Sequence, residues 1–168
     1  MKLTTRRLTE LALLTAAALI IFVIELRIPD LVPIPGVKLG LANIITVYAV
    51  FRYKPEETAL IVLCRILLGS MFAGRPSAIL YSAAGAALCL IGMLAVRRFI
   101  PPKWIWLCSV LGAIFHNTGQ ILAAMVLMKT AVIVSYIPVL LFTGCIAGAF
   151  TGLCAQMLVA RIDRKPPA

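Results

Sequence analysis

Six apolar runs, at residues 8–24, 39–51, 58–72, 78–96, 104–128 and 138–160, are each cut off by charges, proline or glycine, and that alternation leaves few possible folds. A helix needs about 20 residues to cross a hydrocarbon layer roughly 30 Å thick. The first, fourth, fifth and sixth runs reach across, whereas the second and third are short. A water-soluble domain must cover its core with a polar shell. A chain of 168 residues that is 62% hydrophobic and only 13% charged cannot supply one. The sequence therefore reads as an all-α integral membrane protein, a single membrane domain built as a bundle of six transmembrane helices. Met1 to Arg7 and the run that follows read as the first span, because no small-x-small cleavage site leads into a polar domain.

The net charge of +10 raises the question of nucleic acid, but the sixteen Lys and Arg lie almost entirely between the apolar runs. No basic helix is interleaved with stacking aromatics, so nucleic acid is not expected as a partner. Excess Lys and Arg instead mark the cytoplasmic side of a bilayer. Lys2, Arg6, Arg7, Arg52, Lys54, Arg97, Arg98, Lys103, Arg161, Arg164 and Lys165 fall on one side, against Arg27, Lys38, Arg75 and Lys129 on the other. Both termini are expected in the cytoplasm of a plasma-membrane protein. Cys64, Cys89, Cys108, Cys145 and Cys154 are scattered in apolar runs and read as small core residues. With His116 the sole histidine and the acids dispersed, no metal and no cofactor are expected.

The segment Leu26 to Lys38 (LRIPDLVPIPGVK) carries three prolines, which oppose helix through their fixed φ and missing N–H. Beside a short second span, this loop is expected to descend partway into the protein as a lid over a cavity. A second break, GSMFAGRPS from Gly69 to Ser77, ends the third run early. Between Lys129 and Ile137 an interfacial connection is expected. Pro138 then suits the first turn of the last helix. In that helix Gly144, Gly148 and Gly152 share one face and permit a close backbone approach, from within the chain or from a partner helix. Ala12 and Ala16 make a similar face on the first helix.

Polar groups inside a bilayer cost free energy unless they pair or meet water, which makes them functional candidates. Arg65 sits mid-span, with an internal pair or a bound anion as the alternatives. Asn43 lies near the start of the second run. His116 and Gln120, spaced i to i+4, share a face with Asn117 beside them, so their donors and acceptors can converge on a ligand or lock neighbouring helices. Sequence places neither a nucleophile nor an orienting carboxylate beside His116, which argues against a catalytic base. Glu25, Arg27, Lys38 and Arg75 fall at the outer surface, where anchoring of helix ends by snorkelling is the simple expectation. Glu56 and Glu57 read as solvated acids at a helix start.

The stretches LALLTAAALIIFVIE, PGVKLGLANI (Pro35 to Ile44), RILLGSMFAG (Arg65 to Gly74), YSAAGA and HNTGQI (His116 to Ile121) resemble the Gx transporter family, also called heptaprenyl diphosphate synthase component I. That family is similar to the substrate-capturing S components of energy-coupling factor (ECF) transporters. The resemblance implies a six-helix subunit that binds a small molecule from outside. It also implies that the Ala12 and Ala16 face docks on a transmembrane coupling subunit driven by cytoplasmic ATPases. The chain has no P-loop of its own. Taken with the polar residues above, the expected ligand is small and anionic or amphipathic, with Lys38, Arg65 and Arg75 compensating charge and Asn43, His116, Asn117 and Gln120 orienting it. The alternatives are an accessory role in isoprenoid or quinone metabolism, as the family's second name implies, or the assembly of a larger membrane complex. Prenyl diphosphate chemistry needs Mg²⁺ on clustered aspartates. Asp30 and Asp163 are the chain's only aspartates, so no enzyme is expected from this chain alone.

Overall fold

The computed structural model describes residues 4–28, 40–74 and 78–163. These residues form six α-helices and no sheet: α1 (Thr5–Glu25), α2 (Asn43–Arg52), α3 (Pro55–Ala73), α4 (Ala78–Val96), α5 (Ile105–Met128) and α6 (Ile137–Asp163), with short 3₁₀ turns at Pro102–Trp104 and Val132–Tyr136. The second of these turns forms the expected connection before α6. Four helices, α1, α4, α5 and α6, are long and apolar enough to cross a membrane. Large apolar side chains such as Ile20, Ile24, Leu67, Phe142, Ile146 and Phe150 point outward, as a lipid solvent allows.

The second run differs from the rest. Its helix starts at Asn43 rather than Leu39, after Gly40 turns the chain through a positive φ of 79°. It stops at Arg52, because Tyr53 and Lys54 are extended ahead of Pro55, which opens α3. Its 10 residues span only about 15 Å, half of a bilayer's hydrocarbon. Ile45 through Val50 are all buried, so α2 is enclosed on every side and not merely on one face. One core cluster joins its Val47, Tyr48 and Val50 to Cys89, Met93, Ile105, Cys108, Ala155 and Val159, and another joins its Ile45 and Ala49 to Leu11, Ala18 and Ile61.

Glycines let the helices around α2 pack closely on one another. On α6, a Cβ added at Gly152 would stand 2.5 Å from the Trp106 Cα, and one at Gly148 would stand 2.9 Å from the Val110 Cα, so these glycines pack against α5 of the same chain. A second glycine contact joins α4 to α5: a Cβ added at Gly119 would stand 2.6 Å from the Ala84 carbonyl oxygen, and one at Gly85 would stand 2.9 Å from the His116 carbonyl oxygen. Gly85 and Gly119 sit on different helices, so no single run displays the pattern. By contrast, Ala12 and Ala16 are exposed, and with Leu60, Cys64 and Leu68 they line a groove of about 360 Å³ between α1 and α3.

A short buried helix has two ends inside the protein, each with unsatisfied backbone groups. At the C-terminal end, Arg97 donates from Nη1 to the Val50 carbonyl at 2.5 Å, placing a cation where the helix dipole is negative. Next to it, Arg7 donates to both carboxylate oxygens of Glu57 at 2.8 Å, and its guanidinium lies 4.0 Å over the ring of Tyr53. Glu57 also accepts from the Lys54 amide at 2.9 Å and so caps α3. Glu57 is thus buried and paired, while Glu56 is exposed; only Glu56 is the solvated acid expected of both.

Candidate functional site

The N-terminal end of α2 is built differently. Glu25, the last residue of α1, is only 1% exposed. Its Oε1 accepts from the Gly40 amide at 2.5 Å, and the Leu41 and Ala42 amides also face the carboxylate. Glu25 therefore holds the turn at residues 40–42 that leads into α2, as a capping side chain would, although it comes from another helix. This replaces the snorkelling expected of it: a buried carboxylate turned to three backbone amides cannot reach the headgroups. The sequence offers only a weak hint of this role. An acid at a helix C-terminus sits on the unfavourable end of its own dipole, so it requires a partner elsewhere.

Beyond this cap lies a cavity of about 50 Å³ whose lining includes Glu25, Asn43, Arg65, Ser82, His116 and Gln120. Arg65 comes from α3, where it is buried at 8% exposure, and donates from Nη1 to Asn43 Oδ1 at 3.3 Å. Asn43 occupies the first position of α2, so this bond ties α3 to the capped end. Arg65 and Glu25 face one volume, and no direct ion pair joins them. His116 and Gln120 enter from α5, one turn apart. The Gly85 contact holds them in place, since a Cβ there would stand 2.7 Å from Gln120 Cγ and 3.2 Å from His116 Cε1.

Two buried polar atoms on this cavity, Glu25 Oε2 and His116 Nδ1, have no hydrogen-bond partner among the described residues. Leaving such an atom unmet costs about 1–3 kcal/mol, so native proteins rarely keep one without a ligand or water. The cavity sets several polar side chains among apolar ones such as Phe22 and Ile66, and has room for a few water-sized groups.

Of the residues that sequence reasoning singled out, the structure brings Asn43, Arg65, His116 and Gln120 together on the cavity. Asn117 turns the other way. Its Nδ2 donates to the Leu140 carbonyl on α6 at 2.6 Å, in the space left by Gly144, where a Cβ would stand 2.3 Å from that nitrogen. Asn117 and Gly144 thus form an α5–α6 lock. Lys38, Arg75 and most of the proposed lid lie outside the described residues. Among the described residues no group of three His, Cys, Asp or Glu converges to hold a metal ion. Deeper along α2, Ser109 and Thr151 pair at 3.0 Å beside a smaller void that shares Gly40 and Asn43 with the cavity.

The family model described as heptaprenyl diphosphate synthase component I matches residues 14–158, well over half of the chain. No curated protein and no solved structure matches.

Proposed function

From the premise that the chain belongs to the heptaprenyl diphosphate synthase component I family, we propose that this membrane protein is a substrate-binding subunit that takes up a small polar molecule. The ligand enters at the N-terminal end of α2, in the manner of an ECF S component. One observation carries the reading: Glu25 Oε2 and His116 Nδ1 are buried, lack partners among the described residues, and line the same cavity as Arg65. A plain anchor or assembly subunit gains nothing from keeping such atoms unmet, whereas a binding site must keep them available for its ligand. The distribution of Lys and Arg supports a plasma-membrane topology with both termini cytoplasmic. The cavity then opens from the outer half, and the exposed groove of Ala12 and Ala16 between α1 and α3 receives a transmembrane coupling subunit with cytoplasmic ATPases.

Native mass spectrometry of protein extracted from its own membrane tests the proposal. The expected result is a retained small molecule that is absent from Arg65→Met. Protein with no retained mass, together with an Arg65→Met strain whose uptake is unchanged, would refute it. A second reading, an accessory subunit in heptaprenyl diphosphate metabolism, is favoured by the family's description. A prenyl transfer assay with and without this subunit decides it, and the uptake reading expects no difference.

A further inference from the structure

Among the described residues that line the cavity, the formally charged side chains are Glu25 and Arg65, one of each sign. They are not joined in an ion pair, and each keeps hydrogen-bonding capacity. Glu25 has one oxygen occupied by the Gly40 amide and the other, Oε2, unmet. Arg65 uses one of the five N–H donors of a guanidinium on Asn43. We infer that the ligand of this cavity is a small zwitterion, with an ammonium-type donor on Glu25 Oε2 and a carboxylate-type acceptor on the guanidinium of Arg65. The inference rests on the binding-site reading above and sharpens it, because the sequence alone, without Glu25 in the site, points to an anionic or amphipathic molecule.

Charge separates the ligand classes. A monoanion would satisfy Arg65 but enter beside the Glu25 carboxylate in a medium of low dielectric, where like charges repel strongly. A monocation would meet the converse problem at Arg65. A zwitterion leaves no buried charge unmatched, and its carboxylate can engage the guanidinium fork through two parallel bonds. His116 Nδ1, also unmet, is available to a further polar group on the same molecule. The cavity, at about 50 Å³, favours a small molecule.

Calorimetric titration of the full chain in lipid nanodiscs tests the inference with glycine and β-alanine as zwitterions, propionate as the anion and propylammonium as the cation. The wild type is expected to bind a zwitterion at least tenfold more tightly than either singly charged probe. Glu25→Gln, which keeps an acceptor for the Gly40 amide, is expected to weaken the zwitterion at least tenfold and improve propionate. Arg65→Gln is expected to abolish propionate binding and favour propylammonium. If propionate binds the wild type as tightly as the zwitterions and loses that binding in Arg65→Gln, the zwitterion inference is overturned while the binding site stands. If none of the four probes gives saturable heat, the zwitterion inference fails, and the binding site stands or falls on the native retained mass. Should Glu25→Gln not fold, as judged by thermal melting, the probe order in the wild type and in Arg65→Gln carries the decision alone.

Discussion

The two ends of α2 are each met by charged side chains from other helices, yet they are finished differently. At the C-terminal end every participant is engaged: Arg97 on the Val50 carbonyl, Arg7 on Glu57 and Tyr53, and Glu57 on the Lys54 amide. At the N-terminal end, Glu25 does the same structural work for the amides but, among the described residues, leaves one oxygen unmet, and His116 leaves a nitrogen unmet across the same cavity. The contrast separates polar groups that hold a membrane fold from polar groups held available by it. Burial and charge alone do not make that distinction, since Glu57 and Glu25 are both buried acids. What differs is whether the hydrogen-bonding capacity is used up.

The comparison can be broken most forcefully at Glu25. Glu25→Ala removes the cap and strands the amides at the start of α2, a loss of about 3 kcal/mol. Thermal melting in detergent should show a large drop, and ligand retention should vanish with it. Glu25→Gln should keep most of the stability. Next comes Gly152→Ala, whose new Cβ would stand 2.5 Å from a backbone atom of Trp106 that cannot turn aside. It should cost about 2 kcal/mol in the same assay without changing which probe the cavity prefers. Arg65→Met should invert that pattern: binding falls at least tenfold while the melting temperature moves much less than in Glu25→Ala. Equal damage to stability by Arg65→Met would place Arg65 with the fold-holding groups.

The smallest effect is expected at the satisfied end, in its pH dependence. Hydrogen bonding from the Arg7 guanidinium, helped by the Lys54 amide, holds the Glu57 carboxyl down to about 2. A carboxylate with a lowered folded value stabilises above its ordinary range and loses that contribution as pH falls through the folded value. Wild type should therefore lose stability more steeply than Glu57→Gln between about pH 4.5 and 2. Since Arg7 is partly solvated, the difference should stay below about 1 kcal/mol.

Much of this was legible in the sequence. The bounds of α4, α5 and α6 follow the apolar runs closely, because a bilayer makes hydropathy and helix length the dominant constraints. Asn43, Arg65, His116 and Gln120 stood out because polar groups are rare in such runs, and the fold brings them to one cavity. Two features were not legible. The use of α2 as an enclosed half-length helix depends on its neighbours, because a short apolar run looks the same whether lipid or protein surrounds it. The role of Glu25 depends on a contact across fifteen residues of chain, between a helix end and the start of the next helix. Asn117 shows the converse. It neighbours His116 in sequence, but one step around a helix turns a side chain by about 100°, and that step carries it from the cavity to the Leu140 carbonyl on α6.

The most direct test of the account is a high-resolution structure of the protein extracted from its own membrane, with density examined at Glu25 Oε2 and His116 Nδ1. The account predicts a non-protein molecule within hydrogen-bond distance of both atoms and of the Arg65 guanidinium. A cavity closed by the protein's own side chains, with Glu25 and His116 each paired to another residue of the chain, would contradict it.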